Sequence, residues 1–495
     1  MHYRDLIKET EIIEIKNGGI DVQISDVVYD SRTAVPDALF VAIFGFATDG
    51  HRFVEDAVKR GAKVIVHQAE LEEYHDDVVY IKVTDCRFML GRIAARFFDH
   101  PTEKLTVCGI TGTNGKTSTT YFLSHVLRTA GKKIARMGTI DDQIGDTIID
   151  NKGRTTSESR DLQAFADRAV REGADALVME ASSQALDLER LVDVDFDYAA
   201  FTNLTQDHLD YHKNFQNYFE AKTRLFDQTS KAAVINADDP WGRKLIEIVR
   251  EKHPDLKIIT YGTGSEADCR ITDVDLSTSG SRFTIEYEGG SHTIFLDVIG
   301  RFMVDNATVA ALIAHEAGIS WEMITKALAD APVVEGRMER IKAELPFDIV
   351  VDYAHSPDAL ENLLKTVREL GPKRIICVFG CGGDRDKGKR PIMGEISAKG
   401  ADFTVITSDN SRTEDPEMII DEIEAAVKPV TDQYTRVTDR REATVKALSM
   451  AMPGDVVIFA GKGHEKTETS RKGVRPYYEK DVILSVIAEE NLSNS

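Results

Sequence analysis

Residues 107–117 read Val-Cys-Gly-Ile-Thr-Gly-Thr-Asn-Gly-Lys-Thr, and this stretch decides the fold. An apolar run ends in a glycine-rich turn containing Gly112 and Gly115, and a helical pattern starts at Ser118. A strand, a glycine-rich loop and a helix in this order are typical of nucleoside-triphosphate sites. Backbone N–H groups of such a loop turn toward phosphate oxygens, and the helix start adds its positive end. The stretch therefore predicts a nucleotide-binding α/β unit.

The last two residues of this loop, Lys116 and Thr117, have the types that phosphate and metal binding require. In such loops the lysine reaches the β- and γ-phosphates, and the hydroxyl of the next residue binds Mg²⁺. Ile110 stands where the general pattern has its first glycine, so the loop is a variant. A chance Gly-Lys-Thr in a surface turn is the alternative, which the flanking strand and helix patterns disfavour.

The composition excludes several classes of protein. A length of 495 residues suggests about three domains. The net charge of −22 argues against binding to nucleic acid, which needs a basic surface. Five cysteines without a Cys-x-x-Cys pair indicate neither a disulfide framework nor a zinc site. No apolar run approaches ~18 residues, so we expect no membrane span and a cytoplasmic protein.

The order of apolar runs and helical patterns predicts an α/β protein of three domains. We expect a small α/β N-terminal domain over residues 1–100, ending at His100-Pro101, because the residue before a proline avoids the helical region. Residues 101–333 are predicted to form a parallel-sheet domain like those of P-loop ATPases, with an antiparallel patch over residues 268–298. Residues 334–495 alternate again, which indicates a Rossmann-like doubly wound sheet.

Two stretches of the central domain carry residues that could bind a metal. Glu180 ends an apolar strand, at the sheet edge where ligands bind, and could hold Mg²⁺ or simply face solvent. Residues 207–212 contain Asp207, His208, Asp210 and His212, which could ligate a metal or form a polar loop. The residues alone leave both questions open.

Three loops of the C-terminal domain each follow an apolar strand. Residues 380–390 carry a basic cluster, and a charge run facing solvent is the alternative reading of that cluster. Residues 408–412 and 461–465 add acidic and amide groups. Loops at the ends of strands of one parallel sheet converge at one edge. Their mixture of charges suits a zwitterion such as an amino acid; the basic cluster is Arg385, Lys387, Lys389 and Arg390.

These motifs together resemble the Mur ligase family along essentially the whole chain. They occur in the family's order: residues 30–32 (Asp-Ser-Arg), the loop at 111–117, 155–156 (Thr-Thr), 180–183, His208, Lys222, 336–339 (Gly-Arg-Met-Glu), 352–355 (Asp-Tyr-Ala-His) and the three C-terminal loops.

The resemblance implies ATP-dependent formation of an amide bond. It implies that the carboxylate of a UDP-N-acetylmuramoyl dipeptide takes the γ-phosphate of ATP, and that the amine of an incoming amino acid then displaces phosphate from the acyl phosphate. Mg²⁺ is the implied cofactor, and we expect a monomer. The N-terminal, central and C-terminal domains would bind the UDP-sugar, ATP and the amino acid.

The resemblance also assigns roles to residues. Lys116, His208 and Lys222 match catalytic residues, and Lys222 matches a lysine that is carbamylated in relatives and so becomes an oxygen ligand of a second Mg²⁺. The residues that match metal ligands are Thr117, Glu180, His208 and carbamylated Lys222. Those that match ATP contacts are Gly112, Thr113, Asn114, Gly115, Lys116, Thr117, Asn306, Arg337 and Asp352.

The two remaining substrates have their own matching residues. The UDP-substrate side is matched by Ser31, Thr155, Thr156, Ser182 and Arg190. The amino-acid pocket is matched by Arg385, Asp409, Asn410, Arg412, Gly461 and Glu465.

Arg412 indicates which amino acid is added. Relatives that take meso-diaminopimelate carry Asp-Asn-Pro-Arg here, and the arginine pairs with the distal carboxylate, which lysine lacks. An unpaired buried arginine beside a lysine ammonium would be unfavourable, so Arg412 favours diaminopimelate. Ser411 replaces the proline, which we expect to relax the loop. Ser157 and Met303 also depart from the family pattern.

Three alternatives remain. The same reaction could use L-lysine or another diamino acid. A folylpolyglutamate-type amide ligase would share the phosphate loop, although the Asp-Ser-Arg at residues 30–32 argues against it. A nucleotide-binding regulator without ligase activity would fit the departures but not the retained phosphate, magnesium and basic-loop groups.

Overall fold

The computed structural model describes residues 1–8, 12–45, 48–151, 153–277 and 280–490. Its strands form sheets of five, eleven, six and two strands, and the three larger ones follow one another along the chain. Helices cover these sheets. The predicted α/β class is confirmed.

The N-terminal sheet is mostly parallel, with one antiparallel edge strand. Its strand order is β1-β5-β4-β3-β2, and the pairing of β1 with β5 is antiparallel. The strands are β1 (Ile12–Lys16), β2 (Val27–Val28), β3 (Leu39–Val41), β4 (Val64–His67) and β5 (Val79–Val83), and the helices are α1 (Tyr3–Leu6), α2 (Val54–Lys59) and α3 (Cys86–Phe97).

The central sheet is parallel in its middle and antiparallel at both ends. Its order is β16-β15-β14-β13-β12-β11-β6-β10-β7-β8-β9. The strands are β6 (Thr106–Thr111), β7 (Ile134–Met137), β8 (Asp142–Ile144), β9 (Thr147–Ile149), β10 (Ala176–Glu180), β11 (Phe196–Phe201), β12 (Thr229–Asn236), β13 (Lys257–Gly262), β14 (Cys269–Ser277), β15 (Gly280–Tyr287) and β16 (Gly290–Leu296).

Eight helices with assigned bounds accompany this sheet in the described residues. They are α4 (Lys116–Thr129), α5 (Ser159–Arg171), α6 (Ser183–Asp187), α7 (Leu209–His212), α8 (Phe215–Thr223), α9 (Pro240–Lys252), α10 (Arg301–Glu316) and α11 (Trp321–Ala329).

The C-terminal sheet has the order β17-β18-β22-β19-β20-β21, with β17 antiparallel. A two-stranded hairpin follows it. The strands are β17 (Glu339–Arg340), β18 (Asp348–Asp352), β19 (Ile375–Phe379), β20 (Phe403–Ile406), β21 (Tyr434–Arg436), β22 (Val456–Ala460), β23 (Thr467–Ser470) and β24 (Gly473–Pro476), and the helices are α12 (Pro357–Glu369), α13 (Lys389–Gly400), α14 (Pro416–Val427), α15 (Arg440–Met450) and α16 (Glu479–Glu489).

The local predictions differ from the structure mainly at boundaries. Helix α4 begins at Lys116, two residues before the predicted start, because the positive φ of Gly115 (91°) lets the chain enter the helix directly from the loop. The antiparallel patch is confirmed as β14–β16. Of its predicted turn at Ser279-Gly280, Ser279 lies outside the described residues. The hairpin β8–β9 was not predicted, since its strands are only three residues long.

One buried apolar cluster joins the central and C-terminal domains. It runs from Phe122 of α4 through Val304 of α10 to Leu363 of α12 and Ile375 of β19. Removing this surface from water favours a fixed contact between the two domains. The site between them therefore has rigid walls on both sides.

The phosphate loop lies at the carboxyl edge of the central sheet. Strand β6, which leads into it, is flanked by β10 and β11. This edge faces the C-terminal domain, because Asn114 Nδ2 donates a hydrogen bond to Asp358 Oδ2 in the first turn of α12 at 3.1 Å. In the described ranges, no helix has both the length and the apolar character needed to cross a membrane.

Candidate active site

A cavity of ≈ 630 Å³ lies where the carboxyl edge of the central sheet meets the C-terminal domain. Ligands of open α/β sheets bind at such an edge. Most of the predicted nucleotide, metal and UDP-substrate residues line it together: Thr113, Asn114, Gly115, Lys116, Thr117, Thr155, Thr156, Glu180, Ser182, Arg190, His208, Lys222, Asn306, Arg337 and Asp352.

The phosphate loop is closely packed on one side and open on the other. A Cβ on Gly112 would lie 1.9 Å from Thr202 Oγ1, and one on Gly115 would lie 2.3 Å from Asn306 Oδ1. Helix α4 has no side-chain cap at its N-terminus, so its first N–H groups remain available to an anion. The glycines therefore bring the backbone and Asn306 together around a phosphate-sized recess.

Two lysines share one backbone acceptor in this loop. Lys116 Nζ donates to Gly112 O at 2.9 Å and to Thr113 O at 2.8 Å, and Lys222 Nζ donates to Gly112 O at 2.7 Å. Burial lowers the pKa of both lysines, and the charge of Lys116 lowers the pKa of Lys222 further. Lys222 therefore favours the neutral amine, an unusual state for a lysine.

His208 lies beside these lysines in a constrained backbone conformation. Its φ is +53°, in the left-handed region that non-glycine residues occupy at a cost of about 1 kcal/mol or more. Burial, together with Lys116 and Lys222, lowers the pKa of His208, and Asp207 only partly opposes this. The lowered pKa shifts the imidazole toward its neutral form, which is the form that binds metals.

Glu180 is held at the end of β10 by the loop that follows β7. Its Oε1 accepts from the Thr139 N–H at 2.8 Å and its Oε2 from Thr139 Oγ1 at 3.0 Å. The Thr139 hydroxyl also pairs with Thr155 Oγ1 at 3.0 Å. The carboxylate is buried yet lines the cavity, so its remaining lone pairs point to a ligand there rather than to solvent.

The predicted UDP-substrate residues of the central domain form one hydrogen-bonded group. Thr156 Oγ1 donates to Glu180 O at 2.8 Å and to Ser182 Oγ at 3.1 Å, and Arg190 Nη1 donates to Thr156 O at 3.1 Å. Ser31 is separate from them. It is buried in a 3-10 helix of the N-terminal domain and does not line the cavity.

The C-terminal domain contributes a loop that reaches the phosphate site. Arg337 Nη2 donates to Thr117 Oγ1 at 3.4 Å, and its guanidinium lies 4.7 Å from the ring centre of Tyr353. Asp352 shapes this loop, because its carboxylate accepts from the Met338 N–H at 2.7 Å and the Ala354 N–H at 2.8 Å. Asp352 therefore fixes the backbone next to Arg337 through hydrogen bonds.

The three C-terminal loops converge, as the sequence predicted. Asn410 Nδ2 donates to Glu465 Oε2 at 2.7 Å, and a Cβ on Gly461 would lie 2.9 Å from Asp409 Oδ2. Fully buried Lys462 donates to the same Glu465 oxygen at 3.0 Å. These residues form a second cluster of polar side chains, which is not part of the lining of the main cavity.

Arg385 and Arg412 flank Gly382 beside this second cluster. A Cβ on Gly382 would lie 2.8 Å from Arg412 Nη1 and 3.9 Å from Arg385 Cγ. In the part of the chain that the structure describes, neither guanidinium has a carboxylate within ion-pair distance; both donate to backbone oxygens instead. Burial, and secondarily Arg385, lowers the pKa of Arg412. Two unpaired positive groups side by side are suited to an acidic ligand.

The backbone around Ser411 is fixed even without a proline. The Gly383 N–H donates to Asn410 O at 2.9 Å, and the Arg412 N–H donates to Thr469 O at 3.0 Å. The expectation that this substitution relaxes the loop stays a prediction, although hydrogen bonds hold the backbone on both sides of Ser411. The φ of +50° at Arg412 is held by the same contacts.

Fewer residues of the basic cluster are available to a ligand than the sequence suggested. Arg390 is fully buried and pairs with Glu414 and Glu422 at 2.9 Å each. Lys387 pairs with Glu414 at 3.2 Å. These two cations are neutralised within the protein. Lys389 donates to His355 O at 2.7 Å and Arg385 to Asp384 O, so these two have no carboxylate partner among the described residues.

Two residues of the 207–212 stretch have structural roles. His212 Nε2 lies 2.9 Å from Ser183 Oγ, and burial lowers the pKa of His212 to about 4. Neither Asp210 nor His212 lines the cavity. Of the four candidates in this stretch, Asp207 and His208 are the ones that face it.

Sequence reasoning missed the residues that hold the site together. Tyr218 pairs with Thr113 Oγ1 at 3.1 Å and its ring centre lies 4.5 Å from Lys222 Nζ, and Asn203 Oδ1 accepts from the Asn114 N–H at 2.9 Å. Both residues are ordinary in type and distant in sequence, so no local signal marked them.

Comparison with known proteins gives the family. Family models match three consecutive segments: "Mur ligase family, catalytic domain" at residues 23–98, "Mur ligase middle domain" at 110–314 and "Mur ligase, glutamate ligase domain" at 336–463. The UDP-N-acetylmuramoyl-L-alanyl-D-glutamate--2,6-diaminopimelate ligase of Caldanaerobacter subterraneus subsp. tengcongensis is 42% identical, covering 99% of each chain. The chain belongs to the Mur ligase family.

Two further relatives agree with this assignment. The ligase of the same name from Syntrophomonas wolfei subsp. wolfei is 41% identical over 98% of each chain. A solved structure of a UDP-N-acetylmuramoyl-L-alanyl-D-glutamate--2,6-diaminopimelate ligase matches with a TM-score of 0.71 and 30% identity over 99% of each chain. The predicted class of enzyme, an ATP-dependent amide ligase, is confirmed for this Mur ligase.

Gly112→Ala tests the close packing of the phosphate loop. The added methyl would overlap Thr202 Oγ1 and displace the loop, and a displacement near 1 Å can cost about a hundredfold in binding or rate. We expect this loss in the affinity for a non-hydrolysable ATP analogue, measured by isothermal titration calorimetry.

Gly131→Ala is the matched control. Gly131 also has a positive φ (85°), but nothing lies within 4 Å of the position that a Cβ would take there, so the variant carries backbone strain without the clash. Its affinity for the analogue should equal that of the wild type. Equal affinities for both variants would contradict the packing argument.

Proposed function

We propose that this Mur ligase joins an amine of meso-diaminopimelate to the free glutamyl carboxylate of UDP-N-acetylmuramoyl-L-alanyl-D-glutamate, at the expense of ATP. The 42% and 41% identical relatives are named as ligases of this pair of substrates, which supports the proposal. The product would serve cytoplasmic synthesis of peptidoglycan precursors. L-Lysine or another diamino acid is the alternative second substrate.

The unpaired guanidinium groups of Arg385 and Arg412 carry the choice of diaminopimelate. Diaminopimelate has a carboxylate and an ammonium at each end, whereas lysine has no carboxylate at its distal end. A second carboxylate would give these arginines the partner that the protein lacks, with bidentate hydrogen bonds. Lysine would leave them unpaired beside its own positive charge, which is unfavourable.

The first chemical step follows from the phosphate loop. Lys116 and the N-terminus of α4 hold the β- and γ-phosphates, and Arg337 adds a positive charge from the other domain. An oxygen of the acceptor carboxylate, held near Arg190 and Ser182, attacks the γ-phosphorus. The bond from that phosphorus to the β,γ-bridging oxygen breaks, ADP leaves, and an acyl phosphate forms.

The second step uses the pocket of the C-terminal domain. Glu465 and Asp409 supply negative charge for an ammonium group, and Arg385 and Arg412 supply positive charge for carboxylates. An unprotonated amine of the bound amino acid attacks the acyl carbon. The bond from that carbon to the phosphate oxygen breaks, and inorganic phosphate leaves as the amide forms.

Mg²⁺ fits the donors that surround the phosphate loop. Thr117 and Glu180 line one cavity and offer the oxygen atoms that a hard divalent cation prefers. His208 lines the same cavity and adds a nitrogen donor, which Mg²⁺ accepts less readily. Such a cation neutralises the charge of the phosphates. In the described ranges, a preformed group of three acidic or imidazole donors occurs only at Glu55, Glu73 and His75, outside the cavity.

Carbamylation of Lys222 would resolve the conflict at Gly112 O. The nitrogen of a neutral amine adds to the carbon of CO₂ and releases a proton. The lowered pKa of Lys222 favours this neutral amine. The product carries a negative charge, so it would attract the ammonium group of Lys116, which the neutral amine does not. It would also provide an oxygen ligand for a second Mg²⁺, which an ammonium group cannot do.

The proposal extends to the organisation of the chain. The three domains would comprise residues 1–100, 101–333 and 334–495, with Ser31 binding the UDP-sugar from the N-terminal domain. The active unit would be a monomer. The five cysteines are buried and unbridged, as suits a reducing cytoplasm.

Arg412→Ala tests the choice of amino acid. Removing one partner of a desolvated charge pair should raise the KM for meso-diaminopimelate by about a hundredfold, and leave the slow reaction with L-lysine nearly unchanged. Phosphate release with the UDP-dipeptide, ATP and each amino acid measures both values.

Lys387→Ala provides the control in the same region. Its charge is already paired with Glu414, so the KM for diaminopimelate should stay within about twofold of the wild type. Wild-type turnover with L-lysine that equals or exceeds turnover with diaminopimelate would refute the assignment.

Lys222→Met tests the carbamate. The wild-type protein equilibrated with ¹³C-bicarbonate should give a carbamate carbon signal in its NMR spectrum, and the variant should lack it and lose ligation. Lys231→Met is the control, because pairing with Asp197 raises the pKa of Lys231 and keeps its amine protonated. A signal that persists in Lys222→Met would contradict the proposal.

A further inference from the structure

Glu158 lies at the contact between the N-terminal and central domains. Its side chain is 4% exposed, and its carboxylate lies between two arginines from different domains. Arg87 Nη1, from helix α3, donates to it at 3.3 and 3.2 Å. Arg190 Nε, from the central domain, lies 3.4 Å from Glu158 Oε2. One buried carboxylate thus links two domains through two guanidinium groups.

Each arginine is also held by its own domain. Arg87 donates to Phe44 O from Nη2 at 2.9 Å and from Nε at 3.2 Å, so it is fixed to the N-terminal domain. Arg190 donates to Thr156 O, and Thr156 Oγ1 in turn donates to Ser182 Oγ. A continuous chain of contacts therefore runs from the N-terminal domain to the acceptor side of the cavity.

The charges in this chain do not balance. Two guanidinium groups meet one carboxylate, and of the three residues only Arg190 lines the cavity. Burial lowers the pKa of Arg190, and Glu158 opposes that shift. Glu158 thereby holds Arg190 in place, while the two guanidinium groups together keep one positive charge in excess, which is available to an anionic group of the substrate.

We propose that Glu158 is a positioning residue, which makes the orientation of Arg190 depend on the docking of the N-terminal domain against the central domain. The proposal rests on the proposed function, in which Arg190 holds the acceptor end of the UDP-dipeptide. It adds that the domain which binds the UDP-sugar also sets the site where the acceptor carboxylate reacts.

The same two domains are joined by a second ion pair that does not reach Arg190. Arg160 Nη2 donates to Asp26 Oδ1 at 2.9 Å, and Arg160 Nε donates to Val27 O at 2.9 Å. Breaking this pair weakens domain docking without removing any partner of Arg190. Asp26→Asn is therefore the matched control for Glu158→Gln.

The experiment compares KM values for the two substrates. In Glu158→Gln, Arg190 loses its counter-charge, so the KM for the UDP-dipeptide should rise about tenfold or more, while the KM for ATP changes by less than about twofold. Asp26→Asn should lower the midpoint of thermal unfolding about as much as Glu158→Gln does, but it should not raise the KM for the UDP-dipeptide selectively. Equal effects of both variants on the UDP-dipeptide KM would overturn the proposal.

Arg87→Gln provides an independent test from the N-terminal domain. It should reproduce the selective rise, and the double variant with Glu158→Gln should be no worse than Glu158→Gln alone, because both act through one chain of contacts. An unchanged KM for the UDP-dipeptide in Arg87→Gln would overturn the proposal. This test holds even if the Glu158→Gln protein does not fold. Absence of turnover in the wild type would instead refute the proposed function.

Discussion

The carbonyl oxygen of Gly112 accepts hydrogen bonds from two lysines, and the chemistry of the site depends on this contact. Both amino groups are buried beside this one acceptor. Burial lowers the pKa of each lysine, and the charge of Lys116 lowers the pKa of Lys222 further. In the proposed mechanism, phosphate oxygens would bind Lys116, and a carbamate on Lys222 would attract it, which would end the competition of the two amines for one acceptor. The free protein therefore holds its charges in an arrangement that its ligands complete.

Charges without a partner in the protein also occur at the second cluster, in the C-terminal domain. The chain carries a net charge of −22, yet Arg385 and Arg412 have no acidic partner among the described residues. Unpaired positive groups in an acidic protein concentrate the attraction for carboxylates at one place. If Arg385 and Arg412 bind the amino acid as proposed, both sites select their ligands through charges that the protein leaves unsatisfied. The apolar contact joins the two domains that carry these charges.

Sequence reasoning succeeded where the signal is local or follows from a rule of topology. The strand, loop and helix around Lys116 are contiguous, and the convergence of the C-terminal loops follows from parallel pairing of β18, β22, β19 and β20. It could not find the burial of Lys222, because that depends on how α8 packs beneath the loop. It misjudged the basic cluster for a similar reason. The carboxylates that neutralise Arg390 belong to residue 414, just before helix α14, and residue 422, within that helix.

The proposed chemistry depends on the transfer of the γ-phosphate to the acceptor carboxylate beside Lys116. Ligation with a UDP-dipeptide whose acceptor carboxylate is labelled with ¹⁸O tests this most directly. An acyl phosphate passes one labelled oxygen to the phosphate that leaves, so mass spectrometry of the released phosphate should detect one ¹⁸O per turnover at full enrichment. Unlabelled phosphate, released together with amide product, would contradict this mechanism.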